Sequence, residues 1–441
     1  MTQPPIHFPC KETKMCSRKL QHFVATIICR KQKVMPKLNG KPKPKTSSDV
    51  YILEKFLQTY EKHCMASQSH VSPTIKQGVR KCIASETLIT KFVLTNVETL
   101  SGNLHPVSLT PLLRTIRDER YQLGKELCIW GIMLSPQDIA NLAILLELDG
   151  RTIYPFSKLE ISHHALDLWA TERLGVALPY SNLSSLVLDY SKCGDNGVNS
   201  LISGLEGNRK LLTLSLCYCD LGPDSGSTLA TLIIQTAICN LFLNGNHLQC
   251  LGATELLKPI AEYAESIGQE KKANALVYSN GTAHHTIEAN KDTGIDSKMI
   301  HLNATSKTDN SPTAKKKKRK GLKKKSKDPD PGPWLAKLHL ADNAIDGRFN
   351  QREKNIWEFI QLLTCLIKNS DHLVEVDING NAIGEQCAIK ILEALKDRKK
   401  EEMLHLKIKV TPQISSVTFK EIFRSCSKIS PAKKRKKKKT K

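Results

Sequence analysis

The sequence of 441 residues lacks the short motifs that mark common enzyme sites. It contains no GxSxG turn for an activated serine, no GxxxxGK[ST] loop for phosphate, and no cysteine with a histidine partner at a diagnostic spacing. It also contains no CxxC pair, so Cys217, Cys219, Cys239 and Cys250 do not have the spacing of a structural zinc site. We therefore expect a protein that is not an enzyme and needs no cofactor or metal ion.

A hydrophobic run long enough to cross a bilayer is also missing. The apolar stretch at residues 23–29 is shorter than the roughly 20 residues of a transmembrane helix, and it lacks the layout of a signal peptide. The 14 cysteines are not clustered as in a disulfide framework. We expect a soluble intracellular protein with reduced thiols and no membrane contact, located in the nucleus, the cytoplasm or, alternatively, the cilium.

What the sequence does contain is one apolar pattern that returns at regular intervals. Its clearest unit starts with Leu183, Leu186 and Leu188 and continues into a helical stretch with apolar residues four apart. The inner leucines of four successive units, at positions 159, 186, 214 and 241, are separated by 27, 28 and 27 residues. Each unit predicts a short strand, a turn and a helix, and neighbouring units must stack because one unit alone cannot bury its apolar face.

This pattern resembles the leucine-rich repeat in its long, ribonuclease-inhibitor-like form. A polar residue follows several strands, as Asn246, Asn343 and Asn381 do, where it can satisfy unpaired backbone groups. The resemblance implies an α/β solenoid of seven or eight units, with parallel strands on the concave face and helices on the convex face. The predicted domains are a disordered basic arm (1–48), a helical cap (49–87), a first block of repeats (88–265), a disordered lysine-rich insertion (266–333), a second block with a C-terminal cap (334–426) and a basic tail (427–441).

The net charge of +23 is concentrated outside the repeats. Residues 315–327 hold ten basic side chains, residues 433–441 hold eight, and the first 50 residues hold 11 against two acidic ones. These segments account for more than the whole net charge, so the repeat region is close to neutral. The lysine runs suggest nuclear import or contact with an anionic partner such as nucleic acid or the acidic tails of tubulin. The residues concerned are Lys315, Lys316, Lys317, Lys318, Arg319, Lys320, Lys433, Lys434, Arg435 and Lys436.

The repeat template also predicts which side chains face away from the core. Strand positions that alternate with the inward leucines, and the residues at the strand exits, form the candidate partner-binding surface. Aromatic residues on such a surface are typical anchors for a protein partner, although Phe242 and Trp130 could equally pack only against neighbouring strands. The predicted contact residues are Trp130, Asp189, Tyr190, Tyr218, Phe242, Asn244, His339 and Asp377.

These features favour a non-enzymatic scaffold that binds a protein through the concave face, as a monomer within a larger assembly. The surface departs from that of an inhibitor of basic ribonucleases, which would be strongly acidic and rich in tryptophan. One alternative is an axonemal component, because a lysine-rich insertion in such a repeat array is similar in layout to some leucine-rich-repeat proteins of ciliated cells. The other is a nuclear protein that uses its lysine-rich arms for sequence-independent contact with nucleic acid.

Overall fold

Nine short strands pair side by side, in chain order, into one all-parallel sheet. The computed structural model describes residues 47–95, 106–147, 153–280, 332–346, 353–411 and 413–426. The basic arm before residue 47, most of the lysine-rich insertion and the basic tail lie outside these ranges, so the predictions made for them are not addressed by the structure. The strands are β1 (Lys91–Thr95), β2 (Glu126–Trp130), β3 (Lys158–Ser162), β4 (Ser185–Val187), β5 (Thr213–Ser215), β6 (Asn240–Phe242), β7 (Lys337–His339), β8 (Glu375–Asp377) and β9 (Lys407–Lys409).

Helices alternate with the strands, because each parallel connection needs a crossover segment. Sequence neighbours among these helices pack against each other, and the described part of the chain is therefore an α/β fold in which each strand–helix unit contacts the next. The helices are α1 (Ser47–Ala66), α2 (Pro73–Ala84), α3 (Thr110–Asp118), α4 (Pro136–Leu146), α5 (Leu168–Ala177), α6 (Gly194–Ser203), α7 (Ser225–Gln235), α8 (Gln249–Asn280), α9 (Glu353–Asn369), α10 (Glu385–Lys400) and α11 (Ser416–Ser425), with a 3-10 turn at Leu178–Tyr180.

The strand register explains why the apolar spacing in the sequence is so regular. Leu159 pairs with Leu186, Leu186 with Leu214, and Leu214 with Leu241, so residues one repeat apart become direct neighbours in the sheet. The row continues across the two blocks, because Leu241 pairs with Leu338 despite the intervening insertion. Each of these leucines is at most 1% exposed. The alternating residues point the other way, which leaves one face of the sheet against the helices and one without them.

Local sequence signals set where the helices begin. Before α4, Ser135 and Asp138 form a capping box, with the Asp138 N–H donating to Ser135 Oγ at 3.1 Å and the Ser135 N–H donating to Asp138 Oδ2 at 3.0 Å. Pro136 then occupies the first helical position, where its missing N–H costs nothing. The Asp167 side chain caps α5 in the same way by accepting from the N–H of Ala170 at 2.8 Å.

The helices predicted before the repeats, at residues 50–64 and 73–84, correspond to α1 and α2. Phe56 of α1 stacks on Phe92 of β1 with ring centroids 5.6 Å apart and meets Tyr121 edge-on at 5.2 Å. All three rings are at most 3% exposed. These aromatic contacts join the first helix to the first strand.

The structure adds a strand that the repeat pattern did not reveal. β1 carries Phe92 and Leu94 as its inward pair, and Phe92 precedes its partner Leu127 in β2 by 35 residues, which is longer than the spacing of 27 or 28 in the clear repeats. The count is therefore nine strands in the described residues, where seven or eight units were expected. The insertion also begins later than residue 266, since α8 continues to Asn280 and Gly268 lies against Asn369 of the neighbouring helix α9. Residues 267–280 contain no proline that would break the helix, and α8 extends beyond the last repeat leucine.

Candidate functional site

The face of the sheet that bears no helices is formed by the strand residues that alternate with the buried inward row; we call it the open face. At its N-terminal end these residues bind each other. The indole Nε1 of Trp130 donates to Glu160 Oε1 at 2.8 Å, and the Lys158 Nζ lies 2.7 Å from Glu160 Oε2. Lys91 and Glu126 form a further pair at 3.1 Å. The predicted contact residue Trp130 therefore has its polar atom occupied within the sheet.

The C-terminal end of the open face is also internally paired. The ring of Phe242 meets the ring of His339 edge-on, with centroids 4.7 Å apart. Asp377 forms an ion pair with Lys409 on the adjacent strand. Burial lowers the pKa of His339, outweighing the nearby carboxylates, so this ring is neutral at physiological pH. Phe242, His339 and Asp377 thus pack against their neighbouring strands.

Between these ends, polar side chains connect the central strands to each other. The carboxylate of Asp189 accepts from Ser215 Oγ at 2.6 Å and from the N–H of Cys217 at 2.9 Å. Burial raises the pKa of Asp189, and the two hydrogen bonds act in the opposite direction. Asn244 accepts from the N–H of Ala341 at 2.9 Å. Asp189 and Asn244 therefore hold strand exits together.

Three rings form a continuous stack where strands β3, β4 and β5 end. His163 lies parallel to Tyr190 with centroids 4.3 Å apart and planes 12° apart, and Tyr190 lies parallel to Tyr218 at 4.5 Å and 4°. Tyr190 is 42% exposed and Tyr218 is 38% exposed. We call this group, His163, Tyr190 and Tyr218, the aromatic ladder. Its faces are stacked on each other, so it presents ring edges to solvent.

The backbone of the sheet sets the spacing of the ladder. Each ring belongs to the residue four positions after the first inward leucine of its strand, and each has a left-handed backbone, with φ of +61°, +61° and +56° in chain order. The N–H of Tyr190 donates to the carbonyl of Cys217 at 2.8 Å, and the N–H of Tyr218 donates to Asn244 at 2.8 Å. Parallel strands lie about 4.8 Å apart, so identical side-chain positions on adjacent strands place rings at stacking distance.

The equivalent residue in other repeats shows that the turn itself does not require a ring. Gly131, Gly245 and Gly380 occupy the same place and have φ of +63°, +71° and +76°. Glycine adopts this conformation without strain, whereas any other residue pays about 1 kcal/mol for it. The two tyrosines are therefore present at positions where the backbone favours glycine.

Gly245 is also needed to seat the last ring of the ladder. A methyl group added at this residue would lie 2.1 Å from a carbon of the Tyr218 ring, well inside van der Waals contact. We expect Gly245→Ala to tilt the Tyr218 ring away and to lower the free energy of unfolding by about 1 kcal/mol, because the alanine also has an unfavourable φ. Urea unfolding and the near-ultraviolet circular dichroism of the tyrosines test this.

The matched control for this change is Gly131→Ala. Gly131 has a similar positive φ, but a methyl group added there meets no atom within 4 Å. The unfavourable backbone conformation should lower the free energy of unfolding by the same amount in both variants. Only Gly245→Ala should change the near-ultraviolet circular dichroism of the tyrosines. An equal spectral change in both variants would contradict the contact between Gly245 and the ring.

Two members of the ladder, His163 and Tyr218, are uncharged at neutral pH. Burial lowers the pKa of His163, and burial followed by the negative charge of Asp342 raises the pKa of Tyr218. Histidine is thus neutral and tyrosine protonated, and the surface they form can bind through ring edges and hydroxyl groups.

Sequence reasoning identified Tyr190 and Tyr218 but missed His163 as their neighbour. His163 occupies the same repeat position as the two tyrosines, so an alignment of the repeats at the strand exit was the signal that could have found it. The predicted lysine and arginine residues at 315–320 and 433–436 lie outside the described residues. Within the described residues, no group of three or more histidine, cysteine or acidic side chains could hold a metal ion.

Comparison with protein-family models finds none that matches the chain, and comparison with curated proteins finds no match either. Among the helices that the structure describes, none combines the length and the apolar character needed to cross a membrane. The open face and the aromatic ladder are therefore the features from which a function can be inferred.

Proposed function

We propose that the protein is a non-enzymatic interaction module that binds a protein partner at the exits of strands β3–β5, with the aromatic ladder as the anchor. One observation carries the proposal. Tyr190 and Tyr218 occupy left-handed positions that glycine fills in three other repeats, although the rings remain more than one-third exposed. Residues kept at a conformational cost on the surface favour a role in binding over a role in packing.

The ladder has the properties of an interface hot spot. Tyrosine offers a large apolar area and a hydroxyl group while losing little conformational entropy on binding. Stacking between His163, Tyr190 and Tyr218 fixes the rings before a partner arrives, which reduces the entropic cost of association. The paired side chains of the surrounding open face would then form the polar rim.

A protein partner fits this surface better than nucleic acid does. The basic side chains on the open face are engaged by acidic neighbours, as Lys158 is by Glu160 and Lys409 by Asp377. Contact with a phosphate backbone requires unpaired positive charge and would depend steeply on salt. Binding at the ladder should therefore change little with ionic strength.

We also propose that the fold is a leucine-rich-repeat solenoid of the ribonuclease-inhibitor-like type. The spacing of 27 and 28 residues, the all-parallel sheet in chain order and the buried asparagines after β6, β7 and β8 support this assignment. A solenoid exposes one long row of strand residues, and this architecture usually serves binding.

Replacing both ladder tyrosines with glycine tests the proposed function. Glycine is the residue that other repeats use at this position, so we expect Tyr190→Gly/Tyr218→Gly to change the free energy of unfolding by no more than about 1 kcal/mol. Affinity for the partner should fall by about thirtyfold or more, because hot-spot residues contribute at least about 2 kcal/mol. A photo-crosslinking amino acid at position 218 would first identify the partner, and titration calorimetry would then measure the affinity.

The control is Tyr180→Ala, which removes a tyrosine of 47% exposure from the 3-10 turn after α5. This variant should bind as tightly as the unchanged protein. If the double glycine variant keeps full affinity, or if binding disappears only when the basic arm and tail are removed, recognition occurs elsewhere and the proposal is wrong.

A further inference from the structure

Two cysteines in adjacent repeats replace the residues that the repeat otherwise uses. After β5, Cys219 occupies the position that Asn246, Asn343 and Asn381 hold in later repeats. After β4, Cys193 occupies a position that is apolar in six other repeats. The equivalent residues in those repeats are Leu134, Leu166, Leu221, Leu248, Ile345 and Ile383. Both departures fall in the two repeats that carry the ladder tyrosines.

These two cysteines lie on neighbouring turns. The backbone N–H of Gly194 donates to the carbonyl of Cys219 at 3.0 Å, which holds the two chain segments side by side and brings the two thiol groups close enough to interact. Cys219 is fully buried, and its thiol also lies 3.1 Å from the carbonyl oxygen of Leu188. Cys193 is only half-buried, and the structure holds both residues as thiols. Cys193 is therefore the more exposed member of the pair, and Cys219 lies beside it in the interior.

We propose that Cys193 and Cys219 form a peroxide-sensitive thiol pair that is converted into a disulfide between the two repeats. The Cys193 thiolate attacks a hydroperoxide oxygen, giving a sulfenic acid on Cys193 and releasing hydroxide, or an alkoxide from an organic hydroperoxide. The Cys219 sulfur then attacks the Cys193 sulfur, the S–O bond breaks, and water leaves with the Cys219 proton. The two thiols lose two electrons in total, and the hydroperoxide accepts them.

The surroundings make Cys193 the more reactive partner. Interaction with the Cys219 thiol lowers the pKa of Cys193, although burial and the carboxylates of Asp220 and Asp195 oppose this. The adjacent Cys193 side chain, followed by burial, raises the pKa of Cys219. Cys193 therefore supplies the attacking thiolate, and Cys219 is the thiol that resolves it.

Other cysteines of the described chain are less suited to this reaction. Burial, followed by the negative charge of Asp189, raises the pKa of Cys217 to about 12, although it is only two residues from Cys219. Burial raises the pKa of Cys387 to about 11, and both Cys387 and its neighbour Cys250 are 4% exposed. The pair Cys250 and Cys387 is thus an internal control of two adjacent buried thiols without an exposed member.

The disulfide would join the two turns that also carry the ladder tyrosines. Cys219 follows Tyr218 in the chain, and Cys193 is three residues after Tyr190. Oxidation would link the two turns that hold these rings. The proposal concerns the thiols alone and requires no assumption about the partner that the ladder binds.

The experiment treats the full chain with increasing hydrogen peroxide and maps cysteine oxidation by mass spectrometry of non-reduced peptides. We expect a peptide linked through Cys193 and Cys219 that dithiothreitol reverses. Its formation should be about tenfold or more faster than any oxidation of Cys250 or Cys387. In Cys219→Asn the sulfenic acid on Cys193 should persist and react with dimedone, whereas Cys193→Leu should give neither product.

Both substitutions introduce the residue that neighbouring repeats carry, and Cys219→Ser provides a second variant without the resolving thiol; circular dichroism verifies the fold of each. Cys217→Ser should oxidise as the unchanged protein does. The proposal is overturned if Cys193 stays reduced as long as Cys250 and Cys387 do, if it pairs with a different cysteine, or if the dimedone adduct appears equally in Cys193→Leu.

Discussion

Replacing Arg398 with methionine should lower the free energy of unfolding by about 4 kcal/mol, which is the largest effect that we expect from a single substitution. Arg398 lies on α10 and is 3% exposed. Its guanidinium donates to the carbonyls of Ile367 and Ser370 from Nη1 at 2.7 and 2.8 Å, and to that of Leu373 from Nη2 at 2.9 Å. Methionine fills a similar volume but leaves these carbonyls without donors.

The position of Arg398 explains why several segments depend on it. Its Nε also donates to the carbonyl of Leu404 at 2.8 Å, so one side chain ties the end of α9, the entry to β8 and the approach to β9. Burial lowers the pKa of Arg398 to about 10, which still leaves the group charged at neutral pH. Lysine cannot replace it, because an ammonium group lacks the planar fork that reaches several acceptors.

Urea unfolding measures the effect of Arg398→Met and Arg398→Lys, and hydrogen exchange locates it in α9 and α10. Lys399→Met is the matched control, because Lys399 is the next residue on the same helix and is exposed. This control should change stability by no more than about 0.5 kcal/mol. If Arg398→Met loses no more stability than the control, the stabilising role given to the hydrogen bonds of Arg398 is wrong.

The second large effect is expected at the buried asparagines. Asn246→Ala should lower the free energy of unfolding by about 3 kcal/mol. The Oδ1 of Asn246 accepts from the N–H groups of Cys219 and Leu221 at 2.9 and 3.2 Å. Its Nδ2 donates to the carbonyls of Leu216 and Leu243, both at 2.8 Å. Alanine leaves three of these buried backbone groups without a partner, since the Leu243 carbonyl also accepts from Asn343 Nδ2, and two neighbouring strand exits lose their connection.

Asn343 provides an internal comparison at the same position of the next repeat. Its Nδ2 donates to the carbonyls of Leu243 and Ala341 at 2.9 and 3.0 Å, but no donor within the described residues reaches its buried Oδ1. Asn343→Ala should therefore lower the free energy of unfolding by about half as much as Asn246→Ala does. His247→Ala, at the exposed residue beside Asn246, is the control for a surface change. Equal losses at Asn246 and Asn343 would show that the count of hydrogen bonds does not set the cost.

The sequence alone determined where most strands lie and which of their residues are buried. The inner leucines at 159, 186, 214 and 241 each begin a segment that pairs in register with the next one. This succeeded because the demand to bury one row of side chains acts within each repeat and returns at the same interval. β1 escaped detection, since Phe92 and Leu94 precede a spacing that differs from the later repeats.

Only the tertiary structure decided what the surface residues do. Trp130, Asp189 and Phe242 were predicted as contact residues, and the sheet brings each against a partner on the next strand. His163 became part of a candidate site because the sheet stacks it on Tyr190, which lies one repeat further along the chain. Such neighbours are between 26 and 97 residues apart in sequence, so their contacts follow from strand register and from the backbone at the strand exits.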